Sequence, residues 1–277
     1  MKKFKPVTPG RRQMTVTDLS PISVSRPFRR LTVHLKSHSG RNSQGRITVR
    51  HQGGGHKKLY RLIDFKQSKL NLPARVEAIE YDPYRTAFIA RLVYDNGGRS
   101  YVLAWSDAKV GDRVITSLDA PLTSGNRLPL KNIPVGYQVF NAELSPGRGG
   151  QLARSAGSYV EVSAQEGKYT NLKLPSGEVR KILSDGFATV GRASNPENNL
   201  VVIGNAGRSR HLGIRPTVRG SAMNPVDHPY GGGEGQTQRG TKRPKDIWGN
   251  ITGGRRTRHR KQSSSALIIS SRRRRKS

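Results

Sequence analysis

"ARVEAIEYDPYRTAFIARLVYDNGGRSYVLAW", residues 74–105, decides the fold class of this chain. Its three apolar segments are rich in β-branched and aromatic residues, and residues 74–82 place Val76, Ala78 and Glu80 on one side and Ile79 on the other, the period of a strand. "DPYR" and "DNGG" between the segments supply the fixed φ of proline and the positive φ of glycine that tight turns require. The stretch therefore predicts strands joined by short turns.

A second group of strand-like segments follows the Pro- and Gly-rich residues 120–136. Its members are "YQVFNAEL", "SYVEVSAQ", "YTNLKLP", "EVRKIL" and "FATVGR". Short strands at regular spacing, without a long helical period, indicate small barrels or sandwiches rather than a βαβ sheet. We expect two compact β domains that divide near residues 120–130, and a single larger barrel is the alternative.

Charge is concentrated at the two ends of the chain. The 277 residues include 50 Lys and Arg against 18 Asp and Glu, a net charge of +32. Residues 1–60 hold 14 basic residues against one acid, and residues 201–277 hold 18 against three, whereas the middle is nearly balanced. Such a field attracts phosphate-rich partners, so nucleic acid is the expected partner. The ends contain few apolar residues, and we expect them to become ordered on that partner.

Several classes of protein are disfavoured by composition. The chain has no cysteine, which excludes disulfides, thiolate zinc sites and thiol nucleophiles. Its apolar runs are too short to span a bilayer, and no apolar segment follows the basic start, so we expect no membrane association and no secretion signal. The seven histidines lack metal-binding spacing, and "GGGEG" is not followed by Gly-Lys-Ser/Thr, so we expect no metal and no cofactor.

Two glycine triplets, at residues 53–55 and 231–233, lie among polar and charged residues. Because glycine has no Cβ, backbone N–H groups in such segments can approach phosphates closely. The second triplet also adjoins Asp227, His228 and Glu234, which would be the acid, base or metal ligands of an enzyme acting on RNA. No second cluster of carboxylates or histidines accompanies them, which favours a loop fitted to RNA. A DNA-compacting protein suits the charge but not the β domains.

Five segments, taken together, carry a family resemblance. They are "RHQGGGHKKLYRLIDF" at 50–65, "LARSAG" at 152–157, "NLKLPSGEVRKI" at 171–182, "GRSRHLGIRPTVRGSAMNPVDHPYGGGEG" at 207–235 and "GRRTR" at 254–258. In this order, over nearly the whole chain, they resemble the universal family of the second protein of the large ribosomal subunit, in its bacterial or organellar form. The resemblance implies a mainly β fold, with an OB-like barrel at residues 59–124 and an SH3-like barrel at 125–200. Basic extensions at 1–58 and 201–277 flank the barrels.

The resemblance also implies a function. The protein would be a structural, non-catalytic constituent of the large subunit that binds its ribosomal RNA, supports assembly and subunit association, and reaches toward the peptidyl transferase region. Its partners would be neighbouring ribosomal proteins, the small subunit across the interface and the vicinity of tRNA. It would reside in cytoplasmic or organellar ribosomes. In that family the histidine matching His228 has been proposed to matter for peptide bond formation, although the chemistry is assigned to RNA.

The resemblance assigns RNA-binding residues to the matching positions. They are Arg50, His51, Gly53, Gly54, Gly55, His56, Lys57, Lys58, Arg154, Arg208, Arg210, Arg215, Arg219, Asn224, Asp227, His228, Gly231, Gly232, Gly233, Arg255, Arg256 and Arg258. Two positions depart from the family pattern His-Pro-His-Gly-Gly-Gly-Glu-Gly-Arg: Tyr230 replaces the second histidine and Gln236 the arginine. These departures alter a pair of donors at the expected RNA surface.

Overall fold

The computed structural model describes residues 1–24, 26–235, 239–255, 257–259 and 261–272, and it confirms a mainly β chain. The strands are β1 (Lys2–Lys3), β2 (Thr15–Val16), β3 (Thr32–Val33), β4 (Tyr60–Arg61), β5 (Ala74–Glu80), β6 (Ile89–Tyr94), β7 (Arg99–Leu103), β8 (Arg113–Val114), β9 (Arg127–Pro129), β10 (Gln138–Phe140), β11 (Ala142–Glu143), β12 (Gly150–Leu152), β13 (Val160–Glu166), β14 (Tyr169–Lys173), β15 (Val179–Leu183), β16 (Phe187–Val190) and β17 (Ile268–Ser270). The helices are α1 (Pro9–Arg12), α2 (Ala206–His211) and the 3-10 turns Arg29–Leu31, Leu130–Asn132, Pro196–Leu200, Gly220–Ala222 and Ser263–Ser265.

The chain divides into two compact units. The first, here called the body, comprises residues 1–36, 57–206 and 266–272. The second comprises residues 37–56 and 207–265, and we call it the basic unit because its sequence holds 16 Lys and Arg against three acids. Both hydrophobic cores are built from residues of the body. The domain limits at residues 58, 124 and 200 stay predictions.

The first sheet of the body is formed by the opening stretch. Its antiparallel order is β7-β6-β5-β8, and the predicted turns form: the Asp82 carboxylate accepts the Tyr84 N–H at 2.9 Å, and Gly97 has φ +77°. The alternation fails at one residue, because Ile79 is buried together with Val76. A register shift between Val76 and Ala78 inserts a bulge into β5, which changes the face presented by the residues that follow.

The second sheet has the order β17-β15-β14-β13-β10-β16-β9. Segment 137–144, predicted as one strand, is divided between β10 and β11, because Asn141 has φ +49° and turns the backbone. After this turn β11 pairs with β12 in a separate ribbon. A core that includes Leu128, Val139 and Leu172 lies under the second sheet, and a separate core lies under the first. The two cores fit the expected OB-like and SH3-like units.

Acids inside the body are engaged by basic residues and backbone N–H groups of the body. Glu143 is 2% exposed and accepts hydrogen bonds from Arg127 at 3.0 Å, Gly147 at 2.9 Å and Gly149 at 3.1 Å. A buried charge is tolerated only with such complete pairing. Tyr101 donates to Glu80 at 2.7 Å, and burial together with this bond raises the pKa of Tyr101 to about 12. These buried acids of the body are therefore paired within the body.

Candidate RNA-binding surface

The basic unit brings together two glycine-rich segments that lie 155 residues apart in the sequence. The Gly53 N–H donates to the Gly213 carbonyl, and the His56 N–H donates to the His211 carbonyl, both at 3.0 Å. The His56 Nε2 and His211 Nδ1 atoms are 2.6 Å apart, so the two rings share a hydrogen bond. The segments expected to bind RNA thus form one surface, although each was identified separately in the sequence.

The glycines of the first triplet have different structural roles. Gly53, Gly54 and Gly55 all have positive φ, at +136°, +68° and +87°. A Cβ at Gly55 would lie 2.9 Å from the Gly213 nitrogen and 3.0 Å from the His211 carbonyl oxygen, whereas a Cβ at Gly54 would meet nothing within 4 Å. Gly55 therefore permits the close pairing of the two segments, and Gly54 leaves an open backbone surface.

The predicted cations around this pairing are mostly exposed. Arg50, Arg215 and Arg219 are exposed side chains of the basic unit. Arg208 and Arg210 are half-buried and lie on the short helix α2, which leads into the paired segment. In the body, Lys57 is exposed, and the Lys58 ammonium lies 5.9 Å from the centroid of the Tyr84 ring.

The second triplet closes a compact loop around His228. The His228 ring is 8% exposed and packs against Gly220, where a Cβ would lie 2.5 Å from the ring. The Tyr230 N–H donates to His228 Nδ1 at 3.1 Å. Because Nδ1 acts as the acceptor, the proton of the neutral ring lies on Nε2. His228 is thus positioned with Nε2 as a hydrogen-bond donor.

The remaining residues of this loop form its turns and exposed face. The Asn224 carbonyl accepts the Asp227 N–H at 3.0 Å. A Cβ at Gly231 would overlap the Asn224 carbonyl oxygen, and a Cβ at Gly232 would lie 2.5 Å from Pro225 Cγ. The loop is therefore packed as tightly as glycine allows. Gly233 also has positive φ, at +81°.

The three candidate catalytic groups are not assembled into one site. Asp227 and Glu234 are exposed, whereas His228 is buried. In the part of the chain that the structure describes, their side chains share no hydrogen bond, and no group of three or more His, Asp or Glu residues is arranged to hold a metal ion. The Asp227 backbone N–H donates to the Asn224 carbonyl in the turn, and its side chain is exposed.

Tyr230 has a role that the sequence pattern did not indicate. Its hydroxyl accepts a hydrogen bond from the Lys245 N–H and another from Thr241 Oγ1 at 3.4 Å. The bond from Thr241 lowers the pKa of Tyr230, assisted by the Lys245 N–H. Tyr230 thus fastens residues 241–245 to the His228 loop.

The other predicted arginines lie apart from these loops in sequence. The Arg154 guanidinium, in the body, is exposed and lies 4.6 Å from the centroid of the Phe65 ring. Arg258, in the basic unit, donates to Ser264 at 2.9 Å and to Ser265 at 3.1 Å, and Arg255 is exposed. Arg256 lies outside the described residues, as does Gln236.

Acids are used differently in the two units. In the body, Glu77 accepts hydrogen bonds from Arg91 and Arg99, and the bond from Arg99 lowers the pKa of Glu77. In the basic unit, the Asp246 carboxylate is occupied by the Trp248 and Asn250 N–H groups of its own turn. Many arginines of the basic unit therefore remain exposed, as a surface for a polyanion must.

No helix within the described ranges is both long and apolar enough to cross a membrane.

Two family models match the chain. Residues 28–116 match the model described as Ribosomal Proteins L2, RNA binding N-terminal domain, and residues 123–249 match Ribosomal Proteins L2, C-terminal domain. Together they cover most of the chain, both barrels and both glycine triplets, and they confirm the resemblance found in the sequence. The chain therefore belongs to the ribosomal protein L2 family of structural RNA-binding proteins, which lie in the large ribosomal subunit with ribosomal RNA and other ribosomal proteins as partners.

Proposed function

We propose that this protein supports assembly of the large subunit and its association with the small subunit, and that its basic unit contacts ribosomal RNA near the peptidyl transferase region. In this proposal the RNA is bound by the residues assigned above, and the loop at 223–235 lies in the vicinity of tRNA. The host ribosome is cytoplasmic or organellar. The proposal rests on family membership and on the scarcity of acids in the basic unit, which holds 16 Lys and Arg against three acids.

The observation that carries the proposal is the paired glycine-rich backbone at residues 50–56 and 209–215. Backbone hydrogen bonds join the two segments, as from the Gly53 N–H to the Gly213 carbonyl. The side chains of Arg50 and Arg215, in the same segments, are exposed. Arginine binds phosphate with a planar set of donors, and glycine lets the backbone enter a groove that side chains would block. Such a surface recognises the shape and charge of folded RNA.

The body contributes a rigid support for RNA docking. Its buried acids are paired internally, as Glu80 is with Arg91 at 2.7 Å, so they do not repel the phosphates strongly. Its buried cores fold around apolar side chains, whereas the basic unit depends on short turns and tight glycine contacts. This division supports assembly in which the body docks and the basic unit is ordered against RNA.

His228 is proposed to act through packing and hydrogen bonding. Its Nδ1 atom is already the acceptor for Tyr230, and its ring fills the space above Gly220. Nε2 is left as a donor, and a donor at this position suits a phosphate or a base edge. Neither candidate carboxylate is bonded to the ring within the described residues, so the arrangement gives no general acid–base pair.

The test is incorporation into ribosomes. Arg50→Gln and Arg215→Gln, combined in one tagged chain, should lower the amount of protein found in large subunits and the fraction of those subunits that sediment with small subunits. The matched control is Lys131→Gln with Lys173→Gln, which removes two exposed cations of the body. Normal incorporation and normal association of the double arginine variant would contradict the proposal.

The peptidyl transferase part needs a separate measurement. Glutamine can accept the Tyr230 N–H, so His228→Gln keeps the local hydrogen bond and removes the imidazole. Purified particles that contain the variant at full occupancy should transfer peptide at a rate near that of the wild type. A loss of the ~10²–10⁴-fold size typical of a missing acid–base group would show that the imidazole acts in the chemistry.

A further inference from the structure

The basic unit contains an open groove that the proposed phosphate contacts do not explain. Its volume is about 630 Å³, within the usual size range of pockets for small molecules. The walls include the aliphatic side chains of Ile47, Val49 and Val218, together with Met223. Ile47, Val49 and Val218 are 58%, 51% and 54% exposed. Clustered exposed aliphatic residues in so basic a unit indicate a surface that contacts a partner.

The aliphatic wall is held in place by a small hairpin. Arg41 and Ile47 form an isolated antiparallel bridge, and the Gly40 carbonyl accepts the N–H groups of Thr48 at 2.9 Å and Val49 at 3.1 Å. A Cβ at Gly40 would overlap the Val49 carbonyl oxygen, so this contact requires glycine. The local backbone thus fixes the position of the wall.

The rim of the groove is cationic. Arg41, Arg50 and Arg215 all line it and are exposed, and none of the described lining residues is acidic. Arg215 is held beside Gly53, because its N–H donates to the His51 carbonyl at 3.0 Å. An occupant must therefore have an apolar face for the wall and negative charge for the rim. An unstacked nucleotide has both: a flat base and a phosphate.

We propose that this groove binds a nucleotide of ribosomal RNA whose base is turned out of its stack. The base lies against Val49 and Val218, and the flanking phosphates pair with Arg50 and Arg215. Polar groups of Ser39 and Gln52 also line the groove and can meet the edge of the base. This inference rests on the proposed function, since it specifies what kind of RNA element the basic unit recognises.

The experiment compares two RNAs with two groove variants of the full chain. The probes are a single-stranded oligoadenylate of roughly eight nucleotides, within the ~4–16 nucleotides of known single-strand sites, and an abasic oligomer of equal length and charge. Val49→Ser and Val218→Ser each remove part of the aliphatic wall. The matched control is Val110→Ser, at a valine of the body that is 54% exposed and does not line the groove.

Fluorescence anisotropy at one salt concentration gives the dissociation constants. Both groove variants should bind oligoadenylate roughly 4- to 10-fold more weakly than wild type, the size expected when one or two buried methyl groups are lost. Their affinity for the abasic oligomer should be unchanged, which also shows that the basic unit remains folded. Val110→Ser should bind both probes as the wild type does.

Two outcomes would overturn the inference. Equal loss of affinity for both probes would show that the groove does not recognise a base. Unchanged affinity for both would leave the groove to another occupant, such as a segment of a neighbouring ribosomal protein. Incorporation of the wild-type chain into large subunits is measured in parallel. If the wild type is incorporated normally and the groove variants bind oligoadenylate as the wild type does, the proposed nucleotide site is refuted and the proposed function is not. If the wild type fails to be incorporated, the proposed function is refuted.

Discussion

Alanine substitutions at Gly54 and Gly55 separate the two roles of the first glycine triplet. The two residues are adjacent and both have left-handed backbone, at φ +68° and +87°. They differ in the space around a Cβ, which is open at Gly54 and blocked at Gly55 by the backbone of residues 211–213. Gly54→Ala is therefore the matched control for Gly55→Ala, because the conformational strain is shared and the steric overlap is not.

The size of the difference follows from the contacts. Left-handed backbone costs an alanine about 1–2 kcal/mol at either position. At Gly55 the Cβ meets main-chain atoms at 2.9–3.0 Å, which cannot swing aside as a side chain does. Separating the segments would break the Gly53–Gly213 and His56–His211 bonds, each worth about 0.5–1.5 kcal/mol. The extra cost is about 1–3 kcal/mol, or roughly 5- to 150-fold in RNA affinity where ordering accompanies binding.

The assay is filter binding of the full chain to large-subunit ribosomal RNA at fixed salt, with thermal melting of the body as a second readout. Gly55→Ala should bind more weakly than Gly54→Ala by that factor. Both should leave the melting temperature of the body unchanged, because the basic unit contributes no described residue to either core. Equal affinities for the two variants would refute the argument that close pairing of residues 50–56 and 209–215 is required for binding.

Three further predictions concern charge and burial. Glu143→Gln leaves the guanidinium of Arg127 buried without its anion, so the free energy of unfolding of the body should fall by about 3–5 kcal/mol. Calorimetry should show a decrease in Tm on the order of 10 °C. The control Asp185→Asn, at the exposed pair with Lys131, should leave Tm nearly unchanged. Replacing both Arg50 and Arg215 by Gln should lower the slope of log K against log salt for RNA by roughly two units, and an unchanged slope would mean that neither side chain meets a phosphate. Burial raises the pKa of Tyr101 from about 10 to about 12, so the neutral phenol stabilises the folded body at every pH below 10. This contribution to the free energy of unfolding is lost as the pH rises from 10 to 12. Tyr101→Phe should therefore flatten the decline of the free energy of unfolding over this pH range in denaturant titrations.

The strands of the body were predictable because their signals are local. Alternating burial in β5 follows from Ala74 and Val76, and the turn after it follows from Asp82 and Pro83. The exceptions also have local causes that the pattern does not reveal. Ile79 is buried because of a bulge, and the strand predicted at 137–144 is divided at Asn141, whose left-handed conformation is tolerated by asparagine but not required by it.

The candidate RNA-binding surface was predictable in composition but not in arrangement. Glycine triplets and arginines indicate close approach to phosphate wherever they occur in a basic chain. Nothing in the sequence specifies that Gly55 lies against Gly213, because this contact depends on main-chain atoms and produces no periodic pattern. The groove beside it was missed for a related reason. In the sequence, Ile47 and Val49 are isolated apolar residues in a polar segment. Only the hairpin brings them together on one wall of the groove.

Tyr230 shows how the chain accommodates its departure from the family pattern. Its backbone N–H fixes the tautomer of His228, a contact that any residue except proline can make. Its side chain makes a different contact, since the phenol oxygen accepts the Lys245 N–H fifteen residues further on. The hydrogen bond to His228 Nδ1 is therefore independent of the side chain at position 230, and the contact of the phenol falls on residues 241–245. Through this contact Tyr230 positions the basic segment that contains Lys242, Arg243 and Lys245, and His228 remains the imidazole of this loop.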